Sequence, residues 1–141
     1  MRVVIDTNIA VSAILWQGTP GRLISLATEG EIELFVSTAL LEELADVLSR
    51  QKLSKAVAKT GSTASALYND YRRLARRVRA TSLTKQVSRD ADDDAVLACA
   101  LAAHVDLIVS GDVHLLELGS FQHMPIVKTA QAVKRVAETR K

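Results

Sequence analysis

The stretch SRDADDDAVLACALAAH (residues 88–104) restricts the fold more than any other. Nine consecutive residues, Ala95 to Ala103, are apolar. As a helix such a run is apolar on every side, and a helix of that kind belongs in the middle of a covered layer rather than on a rim. Yet Asp90, Asp92, Asp93 and Asp94 crowd its amino end. Aspartate caps helices, and a cap worth about 1 kcal/mol accounts for one of them. Four acids within five positions call for a further reason. A cluster assembled around a cation supplies one.

The rest of the chain alternates two kinds of segment. RVVID (2–6), IELFV (32–36) and VDLIVSGD (105–112) are short β-branched runs, the first and third ending in polar residues, as buried parallel strands do. PIVK (125–128) is a late strand and VRATSL (78–83) a weaker one. Helical patterns fill the gaps. Thr19 caps a helix with Pro20 at its first position and Gly30 beyond its end. Ser37 opens a helix with Leu40, Leu41, Leu44, Val47 and Leu48 on one stripe. Ser62 opens one through Leu67, Tyr71, Leu74 and Val78, Asp92 opens the apolar helix, and Thr129 begins the last. This alternation predicts an α/β fold, a central parallel sheet with helices on both faces, in a single domain over residues 1–141.

Composition narrows the class. A chain of 141 residues buries roughly two thirds of its surface in one core, and with 4% aromatics that core is aliphatic. The first apolar run is too short for a signal peptide, and no stretch approaches the roughly 20 residues of a membrane span. A lone cysteine, Cys99, excludes an internal disulfide and fits the cytoplasm. Inside the apolar run it reads as a buried hydrophobe rather than a nucleophile. The net charge of +2 is too small by itself to argue for nucleic acid.

In open α/β sheets the working groups gather at the carboxyl ends of the strands. Asp6 ends the first strand, Asp112 follows LIVSG, and Asp92 to Asp94 open a helix entering from the same side. Each alone has a plain reading as a turn, loop or cap residue; their joint placement does not. On the helix after Ser37, Glu42 and Asp46 project away from the leucine stripe, whereas Glu43 falls on its edge, where it can reach a half-buried cleft. Carboxylates sharing a cleft repel one another, and a divalent cation removes the conflict. Oxygen ligands favour Mg²⁺ or Mn²⁺ over Zn²⁺, and His104 and His114 lack zinc spacing. Magnesium held this way commonly meets a phosphate.

The strand ending in DTN (Asp6, Thr7, Asn8), the glutamate of LLEEL (Glu43), the aspartate opening DAVLACA (Asp94) and VSGD (Asp112) together resemble the PIN-domain family, over essentially the whole chain. The text between them looks most like the bacterial and archaeal toxin-type (VapC-like) ribonucleases. The resemblance implies a three-layer α/β/α fold, Mg²⁺-dependent endoribonuclease activity with Mn²⁺ as a substitute, a homodimer, and a cognate antitoxin partner. Carried over by position, Asp6, Glu43, Asp94 and Asp112 are the catalytic, metal-binding acids. Asn8 and Ser110 orient them, and Asp92 and Asp93 are auxiliary acids. Spacing does not decide which of the three aspartates points inward; the family block favours Asp94. His114 stands where members of this subgroup often carry an acid.

YRRLARRVR (71–79) gathers Arg72, Arg73, Arg76, Arg77 and Arg79 in what reads as one helical region. Like charges four apart repel by a few tenths of a kcal/mol, which suggests an RNA backbone or an acidic antitoxin segment nearby; a solvated face is the plain alternative. Trp16 could stack on a base, but burial against its own chain or a partner is the expectation. The functional rival to a nuclease is a PIN-like module that binds RNA or protein without cutting. An aspartyl-phosphatase reading is disfavoured, since Asn8 stands where that chemistry wants an acid.

Overall fold

The computed structural model describes residues 1–81, 83, 87 and 91–139, with the side chains of Ala91 and Asp92 excepted. Asp90 lies outside the described residues, as does the side chain of Asp92.

Each strand of the sheet's centre is a short apolar run that stops at a polar residue. Strands β1 (Arg2–Ile5), β2 (Glu33–Val36), β3 (Arg76–Arg77), β4 (Leu107–Val109), β5 (Ser120–Phe121) and β6 (Met124–Val127) form one six-stranded sheet in the order β3-β2-β1-β4-β6-β5. All neighbours are parallel except β5 and β6, an antiparallel pair joined through Gln122 and His123, both at positive φ. The sheet is therefore mixed at one edge rather than wholly parallel.

Side chains alternate across the pleat, which splits each strand between two cores. Val3, Ile5, Leu34, Val36, Leu107, Val109 and Val127 face one layer. It is built by α1 (Thr7–Leu15), α2 (Gly18–Thr28), α3 (Thr38–Leu48), α4 (Ser54–Lys59), α5 (Ala64–Leu74) and α8 (Thr129–Thr139). Val4, Phe35, Ile108 and Ile126 face the other, covered mainly by α6 (Ala91–Ala103) and α7 (Val113–Leu118). The result is the expected α/β/α sandwich. Val96, Leu97, Cys99, Ala100 and Ala103 of α6 are buried, but Leu101 and Ala102 are exposed, so the apolar helix covers its sheet without being covered on all sides itself. Among the described residues no helix is long and apolar enough to cross a membrane.

Several local expectations shift. Helix α2 starts at Gly18, which puts Thr19 and Pro20 inside its first turn. Thr63, not Ser62, caps α5, and its hydroxyl accepts the Ala66 N–H at 3.1 Å. Helix α5 ends at Leu74 because Ala75 is extended, and Arg76 and Arg77 pair with Phe35 and Val36 as the edge strand β3. The arginines therefore do not share one helical face: Arg72 and Arg73 end α5, Arg76 and Arg77 are strand residues, and Arg79 follows. Pairing along the open edge of β2 outweighed continued helix. The strand expected at 78–83 lies earlier, its last link being the Val78 N–H to the Val36 carbonyl at 2.8 Å. Trp16 is 59% exposed and is not buried against its own chain.

Candidate active site

Two of the acids begin as helix caps. The chain leaves β1 at Asp6, whose extended backbone starts α1 and whose Oδ1 accepts the Ile9 N–H at 2.9 Å. It leaves β4 through Ser110 and Gly111 to Asp112, which caps α7 in the same way, Oδ1 accepting the N–H groups of His114 at 2.8 Å and Leu115 at 3.2 Å. Strands β1 and β4 are adjacent and parallel, so both caps stand at the same edge of the sheet. Ser110, wholly buried, bridges them: its hydroxyl donates to Asp6 Oδ2, and its oxygen accepts the Asp112 N–H at 2.9 Å.

Helix α3, capped by Ser37, brings Glu43 to the same edge. Its leucine stripe is buried, Glu42 and Asp46 are exposed, and Glu43 is half-buried between them. Helix α6 brings Asp93, only 6% exposed, from its first turn. Asp6, Thr7, Asn8, Glu43, Asp93, Val96 and Asp112 together line a pocket of about 70 Å³. Asp94 does not line it; that residue faces a different cavity with Thr38 and Arg79. The first turn of α6 thus delivers Asp93 to the acidic pocket, one position earlier than the family block suggests. A helix apolar on all sides has no stripe to fix its rotation, which is why spacing alone left this open. Thr7, buried at the head of α1, also lines the pocket; it stands inside the DTN block, but sequence reasoning assigned it no role of its own.

Burial raises the pKa of Asp6, and the charge of Asp112 adds to that effect, while hydrogen bonds from Ser110, Ile9 and Gly111 oppose it. A carboxylate held in a dry, acid-lined place is one whose charge a cation would stabilise. The side chains that meet here offer oxygen rather than sulfur or imidazole, which suits a hard cation such as Mg²⁺ or Mn²⁺. Among the described residues no group of three or more His, Cys, Asp or Glu side chains is arranged to hold a metal ion directly. Magnesium keeps several of its waters and takes one or two protein carboxylates, so this pocket fits such an ion with water completing its shell.

A family model of the PIN domain matches residues 2–114. The chain belongs to the PIN-domain family. Membership supports an activity of the nuclease kind, and the matched span takes in all four acids of the pocket as well as Ser110 and Asn8. A chain of the crystal structure of VapBC2 from Rickettsia felis bound to a DNA fragment from their promoter has the same fold. Its TM-score is 0.60 at 14% identity, over 89% of this PIN chain and 97% of that chain. No curated protein matches the sequence.

Proposed function

We propose that this PIN domain is a Mg²⁺-dependent endoribonuclease, acting as the toxin of a toxin–antitoxin pair. The observation that carries the reading is the gathering of Asp6, Glu43, Asp93 and Asp112, from four separate stretches of chain, around one pocket at the carboxyl edge of the sheet. One or two of Asp6, Asp93 and Asp112 would hold the ion directly and the others through its waters, with Mn²⁺ as a substitute. When bound, the ion supplies positive charge for a phosphodiester in transition and makes water easier to deprotonate. Glu43, half-buried at the rim, orients the attacking water and takes its proton on the carboxylate. Ser110 fixes Asp6 and Asp112 relative to each other, and Asn8 supplies an amide at the mouth of the pocket.

The antitoxin partner is supported at the level of fold by the VapBC2 complex. A homodimer and a cytoplasmic setting, which the free buried Cys99 suits, belong to the same proposal. That no three acids among the described residues are arranged to hold a metal ion directly favours a second reading, a PIN-like module that binds without cutting.

One comparison separates the two. Purified protein is incubated with single-stranded RNA in Mg²⁺, in Mn²⁺ and in EDTA, beside Asp6→Asn. Cleavage that needs the ion and disappears in the variant is expected. Equal cleavage by both proteins removes Asp6 from the chemistry. No cleavage by the wild type, together with no Asp6-dependent Mn²⁺ binding in calorimetry, leaves the non-cutting reading.

A further inference from the structure

The carboxyl edge carries a second, larger cavity beside the acidic pocket. It encloses about 710 Å³, and its lining includes Ser37 and Thr38 at the start of α3, Val78 and Arg79 just past β3, and Asp94 of α6. Two helices serve both places. Helix α3 contributes Thr38 here and Glu43 to the acidic pocket, and α6 contributes Asp94 here and Asp93 there. Both cavities thus draw on the same two helices at one edge of the sheet.

The positive charge at its rim is available. Arg73 is paired with Asp70 at 3.4 Å and Arg76 with Glu33 at 3.2 Å. Arg77 and Arg79 do not form an ion pair among the described residues, and Arg77 is exposed. Arg77 donates instead to the neutral hydroxyl of Thr38, itself a lining residue, which holds its guanidinium at the cavity mouth. Among the described lining residues Asp94 is the one acid, and its Oδ2 accepts the Val87 N–H at 3.3 Å.

We propose that this cavity, with Arg77 and Arg79 at its rim, holds a backbone phosphate of the RNA strand next to the bond being cut. The inference rests on the nuclease reading above. Four carboxylates repel every phosphate that is not facing a cation, so a strand lying across them needs fixed positive charge close by. Guanidinium groups suit that task, since their forked N–H donors match phosphate oxygens. Such contacts position the strand and leave base identity unread. An acidic peptide would meet the same arginines, but its neighbouring carboxylates would then face the acids of the pocket with no phosphate chemistry to align.

The test uses the full chain carrying Asp6→Asn, so that binding is read without cleavage, with and without Arg77→Gln/Arg79→Gln. A fluorescein-labelled single-stranded RNA 12-mer is titrated by anisotropy over a range of salt. Loss of one phosphate contact on a single strand lowers the slope of log affinity against log salt by about 0.7, and binding at low salt weakens several-fold. The same double variant in the otherwise wild-type chain raises KM and spares kcat. Unchanged slope and affinity overturn the proposal, as does a wild-type chain that binds no RNA. Loss confined to binding of a poly-glutamate peptide, with RNA binding intact, overturns it in favour of an acidic protein. Cleavage scored separately distinguishes the two proposals. A chain that binds through Arg77 and Arg79 but never cuts defeats the nuclease reading alone, and a chain that cuts with its salt slope unmoved defeats the phosphate site alone.

Discussion

Asp93 and Asp94, successive residues in the first turn of α6, face two different cavities. Consecutive helical positions are turned by about 100°, enough to send one carboxylate to the acidic pocket and its neighbour to the cavity beside Arg79. Asp93→Asn should therefore abolish cleavage, losing at least about 100-fold in kcat (about 2.7 kcal/mol of barrier). Asp94→Asn should leave kcat within a few-fold. Steady-state cleavage of one RNA substrate by both variants decides it; the reverse order would mean that the helix is rotated from its position here.

The raised pKa of Asp6 has a consequence for stability. Its folded value lies above its unfolded one, so the folded state holds the extra proton in the interval between them. The stabilisation from that proton is complete below the ordinary carboxylate range and is lost as pH rises through the folded value. Without metal, Asp6→Asn should then melt at or above the wild-type temperature at pH 7, and its advantage should shrink as the pH falls toward about 4. Scanning calorimetry in EDTA across that range checks this. An advantage that grows on acidification would contradict the burial argument.

Ser110 ties the two capping acids together, so its removal should show in both folding and metal binding. Ser110→Ala leaves Asp6 Oδ2 without its donor and the Asp112 N–H without its acceptor. Urea denaturation should give a loss of about 1–3 kcal/mol, and Mn²⁺ affinity should fall about 10–100-fold. A metal affinity equal to the wild type would confine the serine to architecture.

Cys99 is wholly buried, and burial pushes its thiol up to about 12, against a smaller lowering by a hydrogen bond with Ser37. Thiolate is the reactive form. The native protein should consequently resist Ellman's reagent at pH 8, with one equivalent reacting in denaturant. Fast labelling of the folded chain would mean that α6 opens readily from the sheet.

Much of this architecture is written in local patterns. The runs that became β1, β4 and β6 end in polar residues just past the strands, β2 gives way to Ser37, and the leucine stripe of α3 placed Glu43 between the core and its exposed neighbours Glu42 and Asp46. Other parts had no local mark. Arg76 and Arg77 form a strand only because β2 offers them an open edge, and nothing in two arginines announces it. The β5–β6 hairpin turns through Gln122 and His123, residues that give no glycine or asparagine signal for a positive φ. The rotation of α6 was hidden for the reason that made the helix conspicuous: with apolar residues on every side, no face says which aspartate looks inward.

The acids at the ends of β1 and β4 are also the caps that start α1 and α7. Architecture and chemistry thus share the same atoms. Asparagine at either position preserves a cap while removing the charge, whereas alanine forfeits both. If the proposed nuclease reading holds, a descendant freed from cutting would accordingly meet little resistance to Asp6→Asn or Asp112→Asn and much more to other replacements, so silenced copies of this domain should still look intact to anyone judging them by shape.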